Sequence, residues 1–369
     1  MVNSCIRIGI QNDASTLKRL SSLSYSQLAM YNIVSYYKSC AISHAAGILA
    51  NRKKSLRRGL RPRNPYARKG LLISYYGFKL IDGVLKVPLG GRHHVDIRLN
   101  NYVRMTLTDP TVRVRSFTLT ADSLSICISK EIAEIKHKKI EGVDRNLRNF
   151  TVGDSRNIVQ YDLSKAVDVA ENTKSIVRSL KRNDVRIRRA LNQKYGLRRK
   201  RRVNQILHRL TKTIVHEAVR SKTAIAFEDI RGIRNLYQNG NFQNRSFRGR
   251  MNGWSFFEVK RQIEYKAKWE GVPVIQLTKG ETRGTSQLCP QCGKKITQVD
   301  RLTRRLHCAQ CNRWMDRDIV AAMNISIKGL ARFASSKGAA GEAMRGNPTS
   351  PVILRVDAAK LAFRRKPGS

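Results

Sequence analysis

The chain has 369 residues, with 72 Lys and Arg against 26 Asp and Glu, a formal charge of +46 and a pI near 10.9. A chain of that length has room for two or three domains with a sizeable core. A field of that size repels itself unless a polyanion is bound, which argues against an ordinary small-molecule enzyme and makes nucleic acid the expected partner. An anionic membrane would also attract it, but no apolar run approaches the roughly 20 residues of a spanning helix, and no signal peptide precedes the first predicted element.

Taken in order, residues 3–11 set Cys5, Ile6, Ile8 and Ile10 against Arg7 and Gly9, a period-two pattern that predicts a first strand. From Ala14 to about Leu56 the spacing is helical, through Leu17, Leu20, Leu28, Tyr31 and Val34. The basic run that follows, from Lys53 to Lys69 and broken by Pro62 and Pro65, reads as a solvated loop or as phosphate contact. Between Gly70 and Lys130, short alternating runs and an Asp82-Gly83 hairpin signal predict a small barrel. His93 and His94 read as surface residues. Asp144 then closes one apolar run from Ile140 and precedes another, Asn149 to Val152.

A strongly basic helical region spans Lys181 to Arg202, with Asp184 its only acid. It passes into an amphipathic helix with Val203, Ile206, Leu207, Leu210, Ile214, Val215 and Ala218 on one face. The apolar strand from Ala224 ends in Glu228. A Gly-, Asn- and Arg-rich stretch from Arg231 to Gly253 reads as a lid beside the acids or as an exposed connection. Trp254 opens a helix with Phe256, Val259, Ile263 and Ala267 on one side, and Val272 to Leu277 reads as a buried strand. From Ser335 onward periodicity fades, and that tail is expected to be poorly ordered.

The most specific motif lies between Thr285 and Ile325. Cys289 and Cys292 form one C-x-x-C pair, and Cys308 and Cys311 form a second fifteen residues later. That spacing predicts a tetrahedral Zn²⁺ site, and four thiolates leave no open position, so the zinc is structural. Cys5, Cys40 and Cys127 show no pairing pattern. Together with thiolate zinc ligands, this points to a reducing, cytoplasmic setting. Asp316-Arg317-Asp318 follows the ribbon directly and opens a helix. Asp144, Glu228 and Asp318 thus stand at the ends of three different elements. Brought together they repel unless cations neutralise them, and two Mg²⁺ ions about 3.5–4 Å apart would also clamp both oxygens of an in-line phosphodiester displacement. Asp316 reads as a helix cap or a bridge to Arg317.

The stretches GVDRNLRNFTVGD, IAFEDIRGIRN, WSFFEVKRQIEYKAKWEGV, TSQLCPQCG and DRDIVAAMNI resemble the TnpB family, transposon-encoded RNA-guided nucleases related to the miniature type V CRISPR effectors. The resemblance is specific from about Ile140 to Gly329. It departs at Val320, which stands where the family usually has Asn. It implies an α/β plus β architecture: an RNase H-like (RuvC) nuclease domain at 139–285 and 315–333, with a zinc ribbon inserted at 286–314. A wedge-type β-barrel at 1–12 and 70–138 would precede it, carrying a helical recognition insert at 13–69, with a poorly ordered basic tail at 334–369. The RuvC acids fall on Asp144, Glu228 and Asp318, holding catalytic Mg²⁺. The resemblance further implies a guide RNA from the transposon end, a double-stranded DNA target next to a short motif, no membrane, and a nucleoid-associated place in a prokaryotic cell. Two other readings stay open: an RNA-guided DNA-binding repressor that does not cut, and a non-catalytic basic zinc-ribbon protein of nucleic acid.

Overall fold

The computed structural model describes residues 1–68, 70–91, 93–179, 185–233, 244–298, 304–339 and 349–361. Lys69, Lys181, Arg182 and Asp184 of the basic runs, and residues 234–243 of the Gly-, Asn- and Arg-rich stretch, lie outside them. The chain divides into two compact units, Met1–Glu131 with Pro351–Ser369, and Ile132–Ser350. Among the described residues no helix is long and apolar enough to cross a membrane.

The first unit opens with helices α1 (Val2–Gln11), α2 (Leu17–Ser24) and α3 (Ser35–Arg57), with a 3-10 turn at Ser26–Met30. Residues 3–11 are therefore helical, and the predicted first strand is not formed. The buried set Cys5, Ile6, Ile8 and Gly9 shares one helical face, and burying it overrides the strand preference of the isoleucines. At Gly9 an added Cβ would lie 2.3 Å from Leu49 Cδ1, so glycine lets α1 close onto α3. Residues 1–12 thus pack with the helices, around Leu20, Leu28, Ile42 and Leu49, rather than with the strands.

Then come β1 (Leu71–Ser74), β2 (Lys79–Ile81), β3 (Val84–Gly90), β4 (His93–Arg98), α4 (Asn101–Thr106), β5 (Arg113–Thr120) and β6 (Ser123–Ala133). Asp82 and Gly83 both have positive φ, 48° and 73°, as a two-residue hairpin turn between β2 and β3 requires. The short helix α4 interrupts the expected strands. Its cap is Asn100, whose Oδ1 accepts from the Val103 N–H at 2.9 Å. The strands form two sheets, β2-β3-β4 and β1-β5-β6, and the second gains a further edge strand, Thr349–Lys360. The tail expected to be poorly ordered from 334 onward therefore supplies a paired strand, with Ala358 fully buried.

The second unit contains β7 (Lys139–Arg145), β8 (Asn149–Gly153), β9 (Ile158–Asp162), α5 (Ser164–Ser179), α6 (Val185–Ser221), β10 (Thr223–Phe227), α7 (Arg245–Gly253), α8 (Phe256–Glu270), β11 (Val274–Gln276), the ribbon strands β12 (Thr297–Gln298), β13 (Arg305–Cys308) and β14 (Arg313–Asp316), and α9 (Arg317–Ala339). Its main sheet runs β11-β10-β7-β8-β9. β7, β8 and β9 are an antiparallel meander, and β10 and β11 extend it in parallel beside β7. Strand alternation assigns the two faces. Val143, Ile225 and Phe227 meet Leu207, Ile214, Val259 and Ile263 of α6 and α8, whereas Ile140, Ala224 and Ala226 meet Ile325 of α9. The last part of the stretch read as a lid, from Arg245, is the helix α7.

Candidate active site and metal centre

Three elements end at one point of the sheet. Parallel register pairs Phe227 with Val143, so the next residue on each strand, Glu228 and Asp144, stands at the carboxyl edge. Helix α9 crosses β7 with almost no space between them. A Cβ at Gly142 would lie 2.1 Å from the Ala322 carbonyl oxygen, and one at Gly329 would lie 2.9 Å from Ala226 Cβ. The Ser326 hydroxyl donates to the Ile140 carbonyl at 2.6 Å. Asp318, in the first turn of α9, is thereby brought to the end of β7.

Asp144 and Asp318 are buried, with 9% and 4% exposure, and Glu228 is half-buried. Burial raises the Asp144 carboxyl first, and the charges of Glu228 and Asp318 add to it; Asn146 and Arg304 pull the other way, and the result is a pKa of about 8. Burial also raises Glu228, opposed by Arg145. Four residues outside the predicted acid set hold these carboxylates and their strands. The Asn146 amide donates to Asp144 Oδ2 at 2.6 Å. The Asn149 amide donates to Asp318 Oδ2 at 3.3 Å. Arg304 forms an ion pair with Asp318 Oδ1 and accepts the Arg317 backbone N–H on its carbonyl. Buried Arg145 donates to the Glu228 carbonyl at 2.7 Å and lies over the Phe227 ring. Asn146 and Asn149 carry a readable signal, since they are amides in the turn after an acid-bearing strand and at the start of the next strand; nothing in the sequence marks Arg304.

Asp316 has a different task. Its Oδ1 accepts from the Asp318 and Ile319 backbone N–H groups at 2.8 and 3.2 Å, which is a cap on α9.

The ribbon brings its four cysteines together. Sγ of Cys289 lies 3.8 Å from that of Cys311, and Sγ of Cys292 lies 3.6 Å from that of Cys308. A tetrahedron with Zn–S of about 2.3 Å has S···S edges of about 3.8 Å, so the set fits zinc. The residue after each pair, Gly293 and Asn312, has positive φ, 72° and 43°, turning each knuckle alike. Val320 is fully buried against Cys289, Ile296, Leu306 and Cys308. The departure from the family's usual Asn therefore makes an apolar seam between helix and ribbon. Asn324 supplies the polar tie, donating to the Thr285 and Leu288 carbonyls at 2.7 and 2.8 Å.

Among the described residues, the four cysteines are the one set of three or more such ligands with all atoms within 4.8 Å of one another. The three acids share the sheet edge without forming such a set. Their chemistry nonetheless fits a divalent cation: burial first, then the charges of Glu228 and Asp318, raise Asp144 despite Asn146 and Arg304, and Asn149 Oδ1 is a buried acceptor without a partner.

The fold is similar to that of the Cas12f1 chain of a cryo-EM Cas12f1–sgRNA–target DNA complex, with TM-score 0.58, 12% identity, and 88% of this chain and 79% of that one covered. Residues 256–325 match the family described as Cas12f1-like, TNB domain. The chain is 28% identical over 128 residues to the CRISPR-associated endodeoxyribonuclease Cas12f1 of Sulfoacidibacillus thermotolerans, covering 34% of this chain and 27% of that protein. It is 30% identical over 266 residues to a TnpB-like protein of Methanocaldococcus jannaschii, covering 68% of this chain and 92% of that one. The chain belongs to the TnpB family.

Proposed function

We propose that the protein is an RNA-guided DNA endonuclease that cuts by Mg²⁺-dependent phosphodiester hydrolysis at Asp144, Glu228 and Asp318. The observation that carries this reading is the convergence of three acids from β7, β10 and α9, close enough for Glu228 and Asp318 to raise Asp144. Asp144, Glu228 and Asp318 would hold divalent cations, which would supply water activation and charge stabilisation at the leaving oxygen. The chain's own contribution is placement. Asp144 and Asp318 are the direct holders and Glu228 completes the set. Asn146 and Asn149 fix carboxylate rotamers, and the ribbon, through Arg304 and the Asp316 cap, fixes the start of α9. Zinc at Cys289, Cys292, Cys308 and Cys311 holds the ribbon and takes no part in the chemistry. The partners follow from family membership and charge: a guide RNA from the transposon end and a double-stranded DNA target beside a short motif. In this reading the first unit is the wedge with its helical recognition part, and the protein works in the cytoplasm of a prokaryotic cell.

The test is to purify the protein with its own RNA, sequence that RNA, and offer a plasmid carrying the matched site. Cleavage with Mg²⁺ and none with EDTA is the expected result. Matched binding without cleavage under any divalent metal would leave a repressor, and failure to retain RNA would leave a basic zinc-ribbon protein.

A further inference from the structure

The ribbon has an inner and an outer face. In the β13–β14 hairpin, Leu306 pairs with Met315, His307 with Trp314, and Arg305 with Asp316. Alternation along the strands puts the last two pairs on one face. Leu306 and Met315 turn inward, against Val320 and the cysteines. The outer face therefore carries Arg305, His307, Trp314 and Asp316. Trp314 is 52% exposed, and among the described residues of the ribbon it is the one large apolar side chain left exposed; Ile296 and Leu306 are buried. Its neighbours hold it in place from the side. The His307 ring lies across from it at 4.9 Å between centroids, tilted by 41°. The Arg305 guanidinium lies 5.7 Å from its ring centroid. His307 is tied in turn to Asn312 Oδ1 through Nε2 at 3.3 Å. An indole fixed by cross-strand contacts, exposed and beside an exposed arginine, has the chemistry of a base-stacking platform. Every base offers a π-face to the ring, and the guanidinium meets the phosphate.

The place of this face selects the strand. Two residues further along β14, about 7 Å at the usual strand rise, stands Asp316. Its Oδ1 accepts from the Asp318 N–H at 2.8 Å and from the Gln160 amide of β9 at 3.4 Å. The outer face thus runs up to the edge where Asp144, Glu228 and Asp318 meet. Its one acid is engaged in capping α9, which leaves Arg305 to set the charge of the platform.

We propose that Trp314 stacks a base of single-stranded DNA, with Arg305 on an adjoining phosphate, and so sets the strand to be cut beside the three acids. The proposal rests on the nuclease reading for the identity of the strand, and it is tested without cleavage.

The experiment uses the full-length, zinc-loaded chain with its co-purified RNA still bound, in Mg²⁺-free buffer so that nothing is cut. The probe is a short single-stranded DNA carrying 2-aminopurine, whose fluorescence falls when its ring stacks. Saturable quenching is expected with the wild type. Trp314→Ala should lose most of it and weaken binding about tenfold, as for one lost base–aromatic stack, with zinc content and melting temperature unchanged. Trp314→Lys, which removes the ring and adds a cation, should lose the quenching as well. Trp314→Tyr should keep it. Trp314→Ala should leave the slope of log affinity against log salt as it is, whereas Arg305→Ala should reduce that slope by about 0.7, because only a phosphate contact releases counterions. Quenching and affinity unchanged in Trp314→Ala overturn the proposal. So does a Trp314→Tyr chain that holds zinc and fails to quench, and so does quenching that depends on Trp314 with RNA of the same sequence but not with DNA, which would assign the face to RNA. The two readings fail separately: a wild type that stacks DNA on Trp314 but never cuts loses the nuclease reading alone.

Discussion

At Asp144, burial and two neighbouring carboxylates push in one direction. Its folded pKa of about 8 lies above the ordinary value of 3.8, so between those values the folded state holds more proton than the unfolded one. Stability from this group is present at low pH and lost as pH rises through about 8. In EDTA, the melting temperature of the protein should therefore fall between pH 5 and 8. Asp144→Asn should flatten that fall, and Mg²⁺ should reduce it by neutralising the carboxylates. A wild-type melting temperature that rises over the same window would contradict the electrostatic account. Gly142 makes a second case. Its Cβ would meet backbone atoms of α9, which have nowhere to go, so Gly142→Ala should cost about 1–3 kcal/mol by denaturant melting and should misplace Asp318. The three acids are legible in the sequence because each closes or opens a distinct element beside an apolar run. Arg304 is not, because its meeting with Asp318 depends on how the ribbon folds back, and local pattern carries no record of that.

At the scale of elements, the ribbon buries little surface of its own, and its fold should depend on metal. Cys308→Ser should lower zinc content below one per chain and destabilise the start of α9, read as lost cleavage and a lower melting temperature. Wild-type protein free of zinc by metal analysis would contradict this. The basic half of α6 makes a separate prediction. The buried residues of α6 begin at Val203, and Arg198, Arg201 and Arg202 before it are exposed. Arg198→Ala, Arg201→Ala and Arg202→Ala together should flatten the slope of log affinity against log salt by about 2–2.7, since each phosphate contact contributes roughly 0.7–0.9. An unchanged slope would assign them to a solvated face. Motif spacing and long helical periodicity are sound guides to the ribbon, α6 and the central sheet. Short elements are harder. In α1 the spacing of Cys5, Ile6, Ile8 and Gly9 also fits a helix, and Gly9's contact with Leu49 decides between helix and strand only in three dimensions. The strand Thr349–Lys360 owes its form to pairing with β6 more than two hundred residues earlier, which a fading period does not announce.

For the whole molecule, a charge of +46 gives attraction to any nucleic acid but no chemistry, since phosphate contact carries no sequence information. In the proposed function the chemistry rests on three acids working as one unit, and residues that act as a unit are non-additive. The most direct test is cleavage of a guide-matched plasmid by Asp144→Ala, Glu228→Ala, Asp318→Ala, their pairwise combinations and Asp316→Ala, with binding measured on the same preparations. Each single change should abolish most cutting, a second should add little, and binding should persist. Asp316→Ala, which removes a cap worth about 0.5–2 kcal/mol and a long 3.4 Å hydrogen bond from Gln160, should keep substantial activity. Full cutting by Asp318→Ala beside a dead Asp316→Ala would contradict the account at its centre.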